Sequence, residues 1–168
     1  MKKYIFTLLA LIVLLINPFT TRVHAQAKEA IVKVTGEVTT PLDIKLSDLQ
    51  QFKQVEVKRK DKDGNDHIYT GAILSDILQK AGATLGKDLH GENLAKYVLA
   101  EASDGYKVVF GLAELDKDFT DRLIILAIQI DGKPLTSVDG PFRIIVQDEK
   151  KPARCIRQVT AIKVQFAK

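Results

Sequence analysis

Three arginines near the C-terminal end of the chain are the residues best suited to chemistry: Arg143 in Gly140-Pro-Phe-Arg143, and Arg154 and Arg157, which flank Cys155 in Ala153-Arg-Cys-Ile-Arg157. A guanidinium is permanently charged and presents its N–H groups as a rigid fork, so it suits bidentate recognition of phosphate or carboxylate. Arg143 opens one predicted strand and the other two sit on the next, which brings the three to one sheet region. Ordinary pairing with Asp104, Asp139, Asp148 or Glu149 is an equal alternative. Regular alternation along the second strand puts Cys155 and Arg157 on one face and Arg154 on the other.

Cys155 is the only cysteine. Two neighbouring arginines would lower a thiol pKa, but a free cysteine inside an alternating strand pattern is commonly a small buried hydrophobe, and that reading is preferred. No Gly-x-Ser-x-Gly elbow surrounds any serine. Beyond the leader, only His67 and His90 remain, without zinc-ligand spacing, so no metal ligand is assigned. The run Asp61-Lys-Asp-Gly-Asn-Asp66 has the oxygen spacing of a calcium loop, but the closing glutamate position is Ala72; Asp63-Gly64 reads instead as a hairpin turn.

Residues 1–25 read as a secretory signal. Lys2 and Lys3 precede an uncharged apolar run, Ile5 to Ile16, whose 12 residues fall short of the about 20 needed to span a bilayer. Asn17-Pro18 follows, and cleavage is placed after Ala25, against the alternative of an uncleaved anchor. The start has no Arg-Arg pair and no lipidation cysteine, so a Sec-type route to the periplasm or the exterior is expected, with no stable membrane anchor afterwards. Cleavage removes Lys2, Lys3 and Arg22, so Lys plus Arg falls from 25 to 22 against 21 acids and net charge from +4 to +1. A nucleic-acid partner thereby loses its main support. Residues 26–168 suit one domain held by packing alone, because one cysteine cannot close an internal disulfide.

Strands dominate the pattern. Ile31 to Val38 alternates, as do Leu42, Ile44 and Leu46, and Ser47-Asp48 caps a short turn reaching Phe52. Residues 54–70 form a charged ribbon ended by Gly71, with Lys58, Arg59 and Lys60 as a solvated edge or a docking edge for a protein partner. Ile73, Leu74, Ile77 and Leu78 make a helix face stopping at Gly82. Tyr97 to Glu101 and Tyr106 to Phe110 pair around Ser103-Asp-Gly105, and Leu112 to Leu115 suits one helical turn. Leu123 to Ile130, apolar on both faces, suits a central strand, with a short buried helix the alternative on periodicity alone. Phe142 to Val146 and Ala153 to Phe166 complete an α+β domain of mixed sheets.

In this order, Thr35-Gly-Glu-Val38, Leu46-Ser-Asp-Leu49, Tyr69-Thr-Gly-Ala-Ile-Leu-Ser-Asp-Ile-Leu78, Ser103-Asp-Gly-Tyr106, Asp131-Gly-Lys-Pro-Leu135, Gly140-Pro-Phe-Arg143 and Ala153-Arg-Cys-Ile-Arg157 resemble the molybdopterin-binding oxidoreductase domain of the sulfite oxidase type. The resemblance implies a mixed α+β fold. It also implies a pterin phosphate held by basic residues at the positions of Arg143 and Arg157, with Arg154 a weaker candidate. Catalytic members hold molybdenum through a thiolate on the strand after the Leu-Ser-Asp-Leu region; here that stretch, Val55 to Lys60, has no cysteine. The expectation is an exported, non-catalytic module with no firmly assigned cofactor. Its ligand is a small anion, pterin-like or simpler, in a pocket near Arg143, Arg157, Asp104 and Tyr106. The ring of Tyr106 suits either stacking on a planar ligand or core packing. The alternative is a molybdenum oxidoreductase with an atypical metal site.

Overall fold

The computed structural model describes residues 29–167, so the signal reading lies outside the described residues. Among the described residues, ten strands form two sheets. The first has the order β2-β1-β10-β5-β6, from β1 (Ile31–Gly36), β2 (Leu42–Lys45), β5 (Lys96–Ala102), β6 (Lys107–Gly111) and β10 (Val159–Phe166). It is mixed, because β1 and β10 run parallel while the other pairs are antiparallel. The second joins β3 (Gln54–Lys60), β4 (Asp66–Ile73), β7 (Ile124–Ile130) and the two-residue β8 (Lys133–Pro134), with β9 (Arg143–Val146) also pairing β7. Among the described residues the α-helices are α1 (Leu46–Leu49) and α2 (Leu74–Lys80). The fold is α+β, as the alternation predicts. No helix among the described residues is long and apolar enough to cross a membrane.

One apolar cluster spans both sheets, drawing Val32, Val98 and Ile162 from the first, Tyr69, Leu126 and Ile144 from the second, and Leu74, Ile77 and Leu78 from α2. The central position of β7 accounts for its apolar run: Ile124 to Ile128 are all buried. The turn Asp61 to Asn65 joins β3 to β4, with Gly64 N donating to Asp61 O at 3.1 Å, as the Asp63-Gly64 pair requires.

Four local expectations are corrected. The last strand begins at Val159, not Ala153: Pro152–Arg154 is a 3₁₀ turn, and Gln158 sits at φ 48 with its side-chain Nε2 donating to Ser137 O at 2.9 Å. Proline cannot donate to a ladder and a left-handed residue interrupts one, so the face assignment of Cys155, Arg154 and Arg157 by alternation does not apply. β4 runs through Gly71 to Ile73, with a bulge between Thr70 and Gly71. α1 starts at Leu46, before Ser47, where Lys45 N donates to Asp48 Oδ2 at 3.0 Å, and it stops at Leu49. Arg59 is no solvated edge residue, for it is only 6% exposed. On edge strand β3 its neighbours Lys58 and Lys60 do face water.

Candidate functional site

A cleft of about 490 Å³ opens where three connections meet: the β3–β4 turn, the β5–β6 turn and the segment between β9 and β10. Asp61, Lys62 and Asp63 supply one wall, Asp104 and Tyr106 another, and Arg143 and Arg157 the cationic side. Four of the five predicted site residues therefore meet at one cleft, although the strand alternation invoked for Arg157 does not place it.

Arg154 does not line it. Its guanidinium is taken up by Glu149 in a two-point pair, Nε to Oε1 at 2.9 Å and Nη2 to Oε2 at 3.1 Å, and by Glu114 at 3.0 Å. This is the ordinary ion pairing that the acidic neighbours offered. Tyr106 is half-exposed and bridges two cleft walls, its hydroxyl donating to Ala153 O at 3.0 Å. Asp104 Oδ1 accepts from Tyr106 N at 2.9 Å and shapes that turn.

Beneath the cleft lies a ladder of alternating charge. Arg59 Nε stands 3.6 Å from Asp61 Oδ1, and Asp61 Oδ2 lies 3.8 Å from Arg143 Nη1. Arg143 Nη1 is 3.6 Å from Asp139 Oδ1, which Arg157 Nε approaches at 2.8 Å. Tyr69 links the middle: its hydroxyl accepts from Arg143 Nη1 at 2.7 Å and donates to Asp61. Burial, then the Asp61 hydrogen bond, hold the Tyr69 hydroxyl well above the usual phenol range, so it stays a donor. Arg59 is anchored by donating Nη1 to Val146 O at 3.1 Å and Glu149 O at 2.9 Å.

The ladder holds three guanidinium groups and two carboxylates, and it is incompletely satisfied. The side-chain atoms Arg59 Nε, Asp61 Oδ1, Asp139 Oδ1 and Arg143 Nε are buried without a directed hydrogen bond. Arg143 is 3% exposed, whereas the Arg157 side chain is half-exposed and has Asp139 as its one ion-pair partner among the described residues. Arg59, Asp61 and Tyr69 are site residues that the sequence reading missed, whereas Asp139 is the ordinary pairing partner it named, here shared by Arg143 and Arg157.

Cys155 lines the floor of the cleft but is 4% exposed, and burial pushes its thiol up despite the nearby charges of Arg59 and Arg143. A protonated, enclosed thiol is a poor nucleophile. The buried-packing reading of Cys155 agrees with this geometry.

The turn wall is tied down by His67, whose Nδ1 lies 2.6 Å from Asp131 Oδ2 and whose Nε2 lies 3.0 Å from Asp63 Oδ2. Hydrogen bonds to Asp131 and Asp63 raise the imidazole from 6.5 to about 9, and the bond from His67 lowers Asp63 to about 2. A folded pKa above the unfolded value means the charged pair stabilises fully below pH about 6.5, and that this is lost as pH rises through about 9. Proton NMR should therefore find His67 titrating near 9, and His67→Gln should flatten the decline in stability between these limits. An imidazole titrating near 6.5 would show that the double pair does not form in solution.

The residues do not fit the molybdenum that the resemblance implies. On the strand where the thiolate is expected, the inward side chains are Val57 and Arg59. Neither offers a lone pair to a soft metal, and Arg59 is committed to Val146 O, Glu149 O and Asp61. Among the described residues, no group of three His, Cys, Asp or Glu side chains converges as a metal site.

Comparison with known proteins places this geometry. The chain resembles in fold the sulfane dehydrogenase SoxCD from Paracoccus pantotrophus, at 17% identity and a TM-score of 0.61, covering 80% of this chain and 38% of that one. It thus spans well under half of that chain, and at this identity the likeness is one of fold alone. No curated protein matches the sequence. The model of the oxidoreductase molybdopterin binding domain matches residues 59–167, a range holding every rung of the ladder from Arg59 to Arg157. That range is well over half of the sequence, and the chain belongs to the oxidoreductase molybdopterin binding domain family.

Proposed function

We propose that this protein is an exported, non-catalytic member of its family, a binding module whose cleft receives the anionic group of a small ligand, a carboxylate or phosphate. One observation carries the reading: the ladder Arg59–Asp61–Arg143–Asp139–Arg157 ends in a half-exposed cation that lines the cleft. Three cations alternate with two anions, and the place of a third anion falls beyond Arg157. With its Nε drawn to Asp139, Arg157 keeps its remaining N–H groups for a ligand.

The absence of redox chemistry in this reading follows from the donor set, since Val57 and Arg59 stand where a thiolate would be needed. Export follows from the signal reading of residues 1–25 and places the module in the periplasm or outside the cell. The binding claim is tested by isothermal titration of the mature chain with pterin phosphates and simple organic anions. Wild type should bind, and Arg157→Ala should weaken binding roughly tenfold to a hundredfold, the worth of a charge-assisted hydrogen bond. Absence of binding heat in wild type, or equal affinity in Arg157→Ala, would reject the module.

A further inference from the structure

This inference rests on the anion-binding reading and specifies the ligand class. Within the ladder, three guanidinium groups face two carboxylates, an excess of one positive charge. At the cleft mouth, Lys62 is set against Asp63 and Asp104. Asp63 is paired with His67, but that imidazole is shared with Asp131, so its charge is not spare. A first negative charge on a ligand completes the alternation, meeting Arg157 and, behind it, Arg143, whose buried Nε has no hydrogen-bond partner. On a phosphate both charges sit on one group, so beyond the single charge that the ladder lacks, the second is opposed by the lining carboxylates Asp63 and Asp104, with Lys62 as the remaining cation to offset them.

The rest of the lining is apolar or aromatic: Ala102, Pro152 and Ile156, with the exposed Tyr106 ring at one side. Such a lining takes up a flat or aliphatic body once the charged head is fixed. We infer that the cleft selects a singly charged organic acid, a carboxylate on a flat or apolar body, over the doubly charged phosphate group that the family resemblance implies. The selection resides in the rim carboxylates Asp63 and Asp104, and the affinity in Arg157.

Benzoate and phenyl phosphate share a ring and differ in their charge, which makes them the test pair. Both are titrated calorimetrically into the mature chain at pH 8, where phenyl phosphate carries two charges, and at pH 5.5, below its second pKa of about 6, where it carries mainly one. The titratable and charged groups that line the cleft besides Asp63 are Asp61, Lys62, Asp104, Tyr106, Arg143, Cys155 and Arg157; Asp63 stays ionised and His67 protonated at both values. Benzoate should bind roughly tenfold tighter than phenyl phosphate at pH 8. The gap should close several-fold at pH 5.5, and likewise at pH 8 in Asp104→Asn. Phenyl phosphate binding as tightly as benzoate at pH 8, or a gap that neither pH 5.5 nor Asp104→Asn narrows, overturns the inference while leaving an anion site in place. If neither compound binds, or Arg157→Ala binds both like wild type, the anion site itself is refuted, a result distinct from a reversed preference.

Discussion

Arg143→Ala should cost about 3–5 kcal/mol of folding stability, the usual consequence of removing one partner from a buried charge cluster. Arg143 stands at the centre of the ladder, between Asp61 and Asp139, and donates to the Tyr69 hydroxyl at 2.7 Å. Its loss leaves two carboxylates with Arg59 and Arg157 alone, an acceptor without its donor, and a void where the guanidinium lay 5.0 Å from the Tyr69 ring centroid. Arg143→Met fills the void without the charge and should remain nearly as damaging, because the desolvated carboxylates dominate the cost. Adding Asp61→Asn to Arg143→Met should then recover part of the loss. Urea denaturation of the three variants measures this; a loss below about 1 kcal/mol for Arg143→Ala would mean that the cluster is hydrated and contributes as surface pairs do.

What the sequence discloses and what it conceals both follow from the range of the forces involved. Ile124 to Ile128 announces an element covered on both faces, a pattern that a central strand and a short buried helix share, and Asp63-Gly64 announces its turn through local backbone conformation. Arg157 and Arg143 are legible as a pair through the family resemblance, and Asp139 as one of four acids that could pair with them, but nothing periodic in the loop before β9 singles it out as the partner they share. Asp61 was concealed by its own neighbourhood, since a charged turn reads as solvent-facing until the opposite wall is known. Tyr69 and Arg59 were within reach. Val57 and Arg59 share one face of a strand by period two, so an inward Val57 places Arg59 inward as well. The failure at Ala153 to Gln158 has a different origin: a Pro152-led 3₁₀ turn and a left-handed Gln158 imitate strand alternation in their residue types while following another backbone path.

Near the cleft, a large effect is expected of a single methyl group at Gly71. A Cβ there would lie 2.2 Å from Leu126 O, 2.5 Å from Ala127 Cα and 2.7 Å from Leu126 C, all backbone atoms of the central strand β7. Such atoms cannot rotate aside as a side chain would, so Gly71→Ala must push β4 away from β7 or unmake the bulge between Thr70 and Gly71. Either displacement reaches the cleft, because Gly71 pairs with Ala127 and Ala127 pairs with Arg143, three residues in one row across β4, β7 and β9. Tyr69, two residues before Gly71, would shift with it and loosen its bonds to Arg143 and Asp61. The expected cost is at least about 4 kcal/mol, the range reserved for buried backbone conflict, with loss of anion affinity in whatever folded protein remains. Gly64→Ala is the matched control: at φ +84 it has open space around the added methyl, so its cost should be about 1 kcal/mol of backbone strain, with the cleft intact. Equal and small losses for the two variants would show that the β4–β7 junction yields readily, and that the row from Gly71 to Arg143 does not hold the ladder in register.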